Sequence, residues 1–536
     1  MPPPEEPCDV LIVGSGNAGF SAALSAAQTG AKDVLIIDKC PEDWAGGNSY
    51  FTAGAFRTVH NGLSDLLPLV NNVDSETSEI IDLEPYLEEE FIGDLRRVTG
   101  GRCDEELGKV LVEESRETVG WLAEQGIRFQ LSFNRQAYRV NGRYKFWGGL
   151  HLKTQDGGKG LIRDHLSAAR KHGIRISFST AAKQILTDSK TGATTGVLVE
   201  TDGKLVVIKT KAVVLAAGGF EANPRLRSQY LGPGWELAYV RGTPYNTGDL
   251  LEIAIRDVGA KTKGHWSGCH SVAWDANAPP HSGDRDVSNE FTKSGYPLGL
   301  MFNSNGERFV DEGVDLRNYT YAKFGKAILG QPDGVAFQVW DRKGIELLRE
   351  EEYRDGIVKK IKADTIEELA EKCSQVGLQS TEKFVETIEK YNEAARHHRS
   401  ENPDIQFDPA VKDGLSTQSS ILRLPLPKSN WALPIDEPPL LAVKVACGIT
   451  FTFGGLMVNP DTAAVISGMT DSEIPGLFCV GEMLGGLFYG NYPGGSGLTS
   501  GAVFGRRAGR AAANLSRQQF LGIRKSPSAS KLREDR

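Results

Sequence analysis

Cys8-Asp9-Val10-Leu11-Ile12-Val13-Gly14-Ser15-Gly16-Asn17-Ala18-Gly19-Phe20 stands near the start of the chain, and its reading decides the fold. The residues up to Val13 form an apolar run of strand type, and Phe20 to Ala27 continues as a helix rich in Ala. A second apolar run, Val34-Leu35-Ile36-Ile37, ends at Asp38, 19 residues beyond Gly19. Strand, glycine turn, helix, strand and a following acid make up the full context of a dinucleotide-binding unit. Gly14 permits the tight turn, Gly16 lets backbone approach a pyrophosphate, and Gly19 lets helix pack on strand, with the helix N-terminus facing the phosphate charge. Asp38 can take ribose hydroxyls and would repel a 2′-phosphate, which favours FAD or NAD over NADP.

Outward from this stretch, composition sets the limits. Of 536 residues 61 are glycine, above the ~7% of average proteins. Eight lie between Gly14 and Gly62 and ten between Gly481 and Gly509, so two distant segments are expected to build one site. The chain exceeds the ~250–300 residues of a single core, so two lobes are expected. A net charge of −8 lacks the basic excess that nucleic acid requires. No apolar run reaches the ~20 residues of a membrane span. Met1-Pro2-Pro3-Pro4-Glu5-Glu6 has no secretory pattern, so a cytoplasmic address is expected. Seven scattered cysteines without a C-x-x-C pair argue against a disulfide framework, an iron–sulfur cluster or a zinc site, and no metal is expected.

Further glycine-rich stretches follow the first. They are Gly46-Gly47-Asn48-Ser49-Tyr50-Phe51-Thr52-Ala53-Gly54, Gly157-Gly158-Lys159-Gly160, Ala216-Ala217-Gly218-Gly219-Phe220, Thr247-Gly248-Asp249, Val480-Gly481-Glu482, and Gly494-Gly495-Ser496-Gly497-Leu498. In order and spacing they resemble the flavoprotein family of fumarate reductases, succinate dehydrogenases and ketosteroid dehydrogenases. The resemblance implies an α/β fold: a discontinuous Rossmann-like FAD-binding domain, residues 1–264 and 447–516, with an inserted α+β capping domain at 265–446. The polar tail, 517–536, is expected to be disordered. The resemblance also implies FAD contacts at Gly14, Gly16, Asn17, Ala18, Gly19, Asp38, Lys39, Gly46, Gly47, Asn48, Ser49, Thr52, Ala53 and Gly54. In the later stretches it implies Ala182, Ala217, Gly218, Gly219, Thr247, Gly248, Asp249, Gly481, Glu482, Ser496, Gly497 and Leu498. Asn48 to Gly54 contains no histidine to bond the flavin, so FAD is expected to be non-covalent. With no second nucleotide fingerprint and no paired cysteines, the chain does not read as a pyridine-nucleotide disulfide reductase.

Oxidising a carbon–carbon single bond needs substrate anchors, a proton carrier and a stabiliser of developing enolate charge. The family match places His270 as a carboxylate ligand, Arg317 as the proton carrier, and Thr450 and Thr452 in the loop that binds a second carboxylate. Phe451 stands where fumarate reductases have histidine and Tyr492 where they have arginine, so fumarate itself is disfavoured. Tyr492-Pro493-Gly494 is similar to ketosteroid dehydrogenases, where that tyrosine polarises a ketone. Taken with Ile449-Thr450-Phe451-Thr452-Phe453-Gly454-Gly455 and Arg317-Asn318-Tyr319-Thr320-Tyr321, the chain resembles tricarballylate dehydrogenases most. The expected partner is therefore a small carboxylic acid, with Arg57, Arg241 and Lys323 as candidates for a third carboxylate. Two rivals stand beside this reading: a desaturase of a ketone or apolar substrate, its pocket lined by Phe451, Phe453 and Phe488, and a dinucleotide-binding module without catalysis.

Overall fold

The computed structural model describes residues 7–522. Strand β1 (Val10–Val13) is the hub of a six-stranded sheet. It pairs in parallel with β2 (Val34–Ile37) on one side and with Val213–Leu215 on the other. Arg175–Ser177 extends the sheet beyond β2, and Glu473–Cys479 and Ala464–Ile466 extend it at the opposite edge. Val10, Leu11 and Ile12 are fully buried. That is why these strands read as unbroken apolar runs: a parallel sheet covered on both faces has no wet side.

Helix α1 (Asn17–Gln28) begins three residues before the run that marks it in the sequence. It packs on the C-terminal helix Ser496–Gly522, and the approach requires glycine: a Cβ at Gly505 would lie 2.7 Å from Ala18 O, and one at Gly509 2.2 Å from Ala22 O. Part of the C-terminal glycine excess thus serves helix-to-helix contact and not the expected site. Residues 517–522, expected in a disordered tail, are helical instead, and the rest of that expectation lies outside the described residues. A further helix, Gly157–Lys171, starts within the Gly157-Gly158-Lys159-Gly160 stretch.

The chain between the two parts of this sheet folds on a second one. Its axis is the 17-residue strand Leu440–Leu456, paired antiparallel with Thr262–Asp275 on one side and with Ala336–Trp340 on the other. The ladder with Thr262–Asp275 slips twice: from His265·Phe453 to Cys269·Thr452, then from His270·Phe451 to Ser271·Ile449. The second slip leaves Thr450 as the extra residue of a bulge, a feature that re-aims side chains. Two helices pack in this region, Ile366–Ser374 and Thr381–Glu401, with Phe384, Ile388 and Tyr391 in its core. Among the described residues no helix is long and apolar enough to cross a membrane.

A buried histidine pair makes the fold sensitive to acid. Gly62 N donates to His60 Nδ1 at 3.1 Å, so His60 Nε2–H donates to His151 Nδ1 at 2.8 Å and both rings are neutral. Burial holds His60 down at about 4 and His151 well below the usual 6.5. The unfolded chain therefore gains protons before the folded one does, and stability falls as pH drops from about 6.5 towards 4. Denaturant titrations should show about 3 kcal/mol of this loss attributable to His60. His60→Gln should flatten the profile by that amount, and an unchanged slope would contradict the assignment.

Candidate active site

An elongated cavity runs from the carboxyl end of β1 and β2 to the bulge at Thr450. At the β1 end Gly14 has φ +117°, and a Cβ there would lie 2.2 Å from Ala216 O. A Cβ at Gly19 would lie 2.0 Å from Gly14 O. Gly16 differs: a Cβ there would meet no protein atom nearer than 3.6 Å, so its bare backbone serves what lies in the cavity. Gly16 caps α1 without a side chain of its own, so beyond Asn17 N the first-turn N–H groups are left open to an anion.

Asp38 sits beside this turn. Ser15 N and Oγ donate to its Oδ2 at 2.8 and 2.7 Å, and Cys40 N donates to Oδ1 at 3.0 Å. Lys39 pairs with Asp249 at 2.5 Å and also donates to Thr247, closing the Thr247-Gly248-Asp249 segment over the same end. Ala182 lines it from the strand Thr180–Thr187. Further along, Asn17 N donates to Ser49 Oγ at 3.1 Å and Asn17 Nδ2 to Leu498 O at 2.8 Å, tying three glycine-rich stretches into one wall. Ala18, Gly47, Asn48, Thr52, Ala53, Ala217, Gly218, Gly481, Glu482 and Gly497 complete that wall. This elongated cradle, with an acid at one end and an uncapped helix terminus in its middle, fits an adenine dinucleotide.

Several expected residues support the cradle from behind. Gly46 lies against Ile162, Gly54 against Thr154 and Gly157, and Gly219 beneath Glu482 and Glu221. Ser496 Oγ donates to Pro493 O at 2.6 Å.

The far end is a cationic chamber. His270, Arg317, Thr450, Phe451 and Tyr492 all line it, as does Arg241. Thr452 does not: it donates through N and Oγ1 to Glu482 Oε1 at 2.7 and 3.0 Å. Period-two alternation puts Thr450 and Thr452 on one face, and the bulge at Thr450 breaks it, bringing Thr450 and Phe451 to the chamber together. Arg57 is also elsewhere, fully buried and spent on Gly494 O, Tyr86 and Asp94. Lys323 is exposed on its helix. Phe453 and Phe488 pack behind Phe451 and Tyr492.

Sequence reading missed Arg135, Arg349, Thr292 and Ser294, which also face the chamber. Arg135 and Arg349 both pair with buried Glu352 at 3.0 Å, and Arg135 additionally with Glu351 at 2.7 Å. No motif marks them: Arg135 meets its partners on a distant segment, and Arg349 with Glu352 three residues on reads as an ordinary helical ion pair.

Arg241 and Arg317 are 6% and 8% exposed, and among the described residues neither has a carboxylate partner. Arg241 donates to Thr450 Oγ1 at 3.0 Å and to Asn289, and its Nε is buried with no partner. Arg317 donates to Arg135 O and lies over the Trp147 ring. Burial lowers the pKa of both. His270 Nε2 is likewise buried without a partner; burial, helped by Arg241, keeps the ring neutral. The Tyr492 hydroxyl lies 2.8 Å from that of Tyr321, and burial pushes its pKa up.

A dinucleotide cradle opening onto a chamber of buried cationic side chains defines an FAD-dependent oxidoreductase. Residues 9–498 match the family described as the FAD binding domain, and the chain belongs to that family. It is 27% identical over 516 residues to the fumarate reductase (cytochrome) of Shewanella frigidimarina, covering 96% of this chain and 78% of that one. The open conformation of a flavocytochrome c3 fumarate reductase superimposes with a TM-score of 0.69 at 26% identity, covering 96% and 79% of the two chains. The fold is shared with 3-ketosteroid Δ1-dehydrogenase from Sterolibacterium denitrificans, TM-score 0.69 at 21% identity, over 95% and 99%.

The contrast between Gly16 and Gly19 gives a direct check. Gly16→Val should unfold at a temperature near wild type yet lose FAD affinity by about tenfold or more, since its side chain enters only the cofactor's space. Gly19→Val should fail as a fold. Equal thermal stability of the two variants would contradict this assignment.

Proposed function

We propose that this FAD-dependent oxidoreductase acts on the CH–CH group of a small polycarboxylate, of the tricarballylate type, with FAD held non-covalently in the cradle described above. One observation carries the reading: Arg241 and Arg317 are buried guanidinium groups on the chamber wall, and among the described residues no carboxylate pairs with them. Buried charge without a partner is costly, and a substrate carboxylate supplies the partner.

The residues divide the work. Arg241, aligned by its bond to Thr450, holds one carboxylate, and the free Nε2 of neutral His270 completes that clamp. Arg349 and Arg135, kept in place by Glu352, present guanidinium edges to a further carboxylate. When bound, FAD supplies two-electron exchange with the carbon–carbon bond. The accompanying proton crosses at the Arg317 guanidinium, where burial lowers the pKa and so makes release to, or uptake from, a substrate carbon less costly. Tyr492, paired with Tyr321, donates to substrate oxygen and stabilises enolate charge as it develops.

The ketone-directed rival relied on Phe451, Phe453 and Phe488 as an apolar lining, and Phe451 alone of these faces the chamber.

Anaerobic titration should bleach the flavin with tricarballylate or a related di- or tricarboxylate. Bleaching by a 3-ketosteroid and by no polycarboxylate would overturn the proposal. Arg241→Met should raise KM about 100-fold, the cost of one charge-assisted clamp. Arg317→Ala should cut kcat by about 100-fold or more while the flavin spectrum and substrate affinity persist.

A further inference from the structure

Glu221 carries no mark in the sequence, yet it is fully buried beneath the cradle, and its carboxyl meets that of Glu482. Both converge on Gly219, where a Cβ would lie 2.1 Å from Glu482 Oε1 and 2.8 Å from Glu221 Oε2. The other oxygens described there are served. Glu482 Oε1 accepts from Thr452, and Glu221 Oε1 accepts from Asn246 Nδ2 at 2.6 Å and from Asn48 Nδ2. Glu221 Oε2 is buried with no partner. Two ionised carboxylates in contact away from water repel strongly, and a bare buried acceptor adds its own cost. A single proton on Glu221 Oε2 removes both penalties.

We propose that Glu221 is a protonated positioning residue of the FAD site: its Oε2–H donates to the Glu482 carboxylate and fixes that side chain on the cradle wall as a singly charged acceptor for a cofactor hydroxyl. The surroundings agree. Thr452, Asn48 and Asn246 face the pair and are neutral. Arg227 is the charged group beside it, but its Nη1 and Nη2 donate to the backbone carbonyls of Glu221 and Glu236 at 2.7 and 2.8 Å, not to the carboxyls. The Cys447 and Cys269 thiols near Arg227 are held protonated by burial. Burial raises both carboxyls, and the neighbouring Glu482 raises Glu221 further, so the proton the pair retains sits on Glu221 and is shed only on the alkaline side. Asn48 Nδ2 also donates to Thr450 O at 2.5 Å, so the carboxyl pair is tied to the bulge at the chamber.

The FAD-loaded protein at neutral pH should show an infrared carbonyl band of a protonated carboxyl that disappears in Glu221→Gln. FAD dissociation constants, followed by flavin fluorescence, should rise in alkali for wild type by up to about tenfold per pH unit once the pair loses its last proton. Glu221→Gln, a permanent donor of the same shape, should keep the neutral-pH constant within about threefold and lose the alkaline rise, whereas Glu221→Leu should weaken binding about tenfold or more. Absence of the band in wild type, or a folded Glu221→Gln as weak as Glu221→Leu, would overturn the proposal. Should neither variant fold, the wild-type band and alkaline rise decide it.

Discussion

The bond from Asn17 Nδ2 to Leu498 O joins residues 481 positions apart, and the cofactor cradle exists because that junction closes. Asn17 is buried, with His165 Nε2 at 3.0 Å from its Oδ1 and Ser49 Oγ accepting from its backbone. One side chain thus fixes the start of α1, the segment after β2 and the C-terminal helix relative to each other. Bringing such distant segments together carries an entropy cost that grows only slowly with separation, and burial between α1 and the C-terminal helix offsets it. That burial is available only because Gly505 and Gly509 let the two helices approach to backbone contact.

The chamber depends on a second constraint, the cost of buried charge. Four arginines meet there in two arrangements. Arg135 and Arg349 are neutralised within the protein by Glu351 and Glu352, while Arg241 and Arg317 are left for whatever enters. The first arrangement sets shape, because bonded guanidinium groups have fixed orientation. The second sets chemistry, because an unneutralised guanidinium holds an anion and, when burial lowers its pKa, exchanges a proton more readily.

What could be read in the sequence follows from how local each feature is. Gly14, Gly16, Gly19 and Asp38 fall within 25 residues and need only chain geometry to meet, so their spacing names the cradle. His270, Arg317 and Tyr492 were reached through family resemblance and do share one chamber. Arg135 and Arg349 had no such signal, since Arg135 meets Glu352 across 217 positions and each looks like an ordinary surface charge. Glu221 escaped for the same reason. Thr452 and Arg57 misled because residue type suggested a ligand while the bulge at Thr450 and the Tyr86–Asp94 cluster decided otherwise.

The strands Thr262–Asp275 and Leu440–Leu456 carry His270, Thr450 and Phe451, and they lie side by side where the chain leaves the cofactor sheet and returns to it. Everything between Asp275 and Leu440 therefore departs and re-enters through adjacent doors. To the nucleotide-binding half, that whole stretch is one hairpin loop, however long or elaborate. Its length can change at little entropic cost to the rest. An architecture of this kind lets evolution exchange what the enzyme recognises while the cofactor's seat is inherited intact.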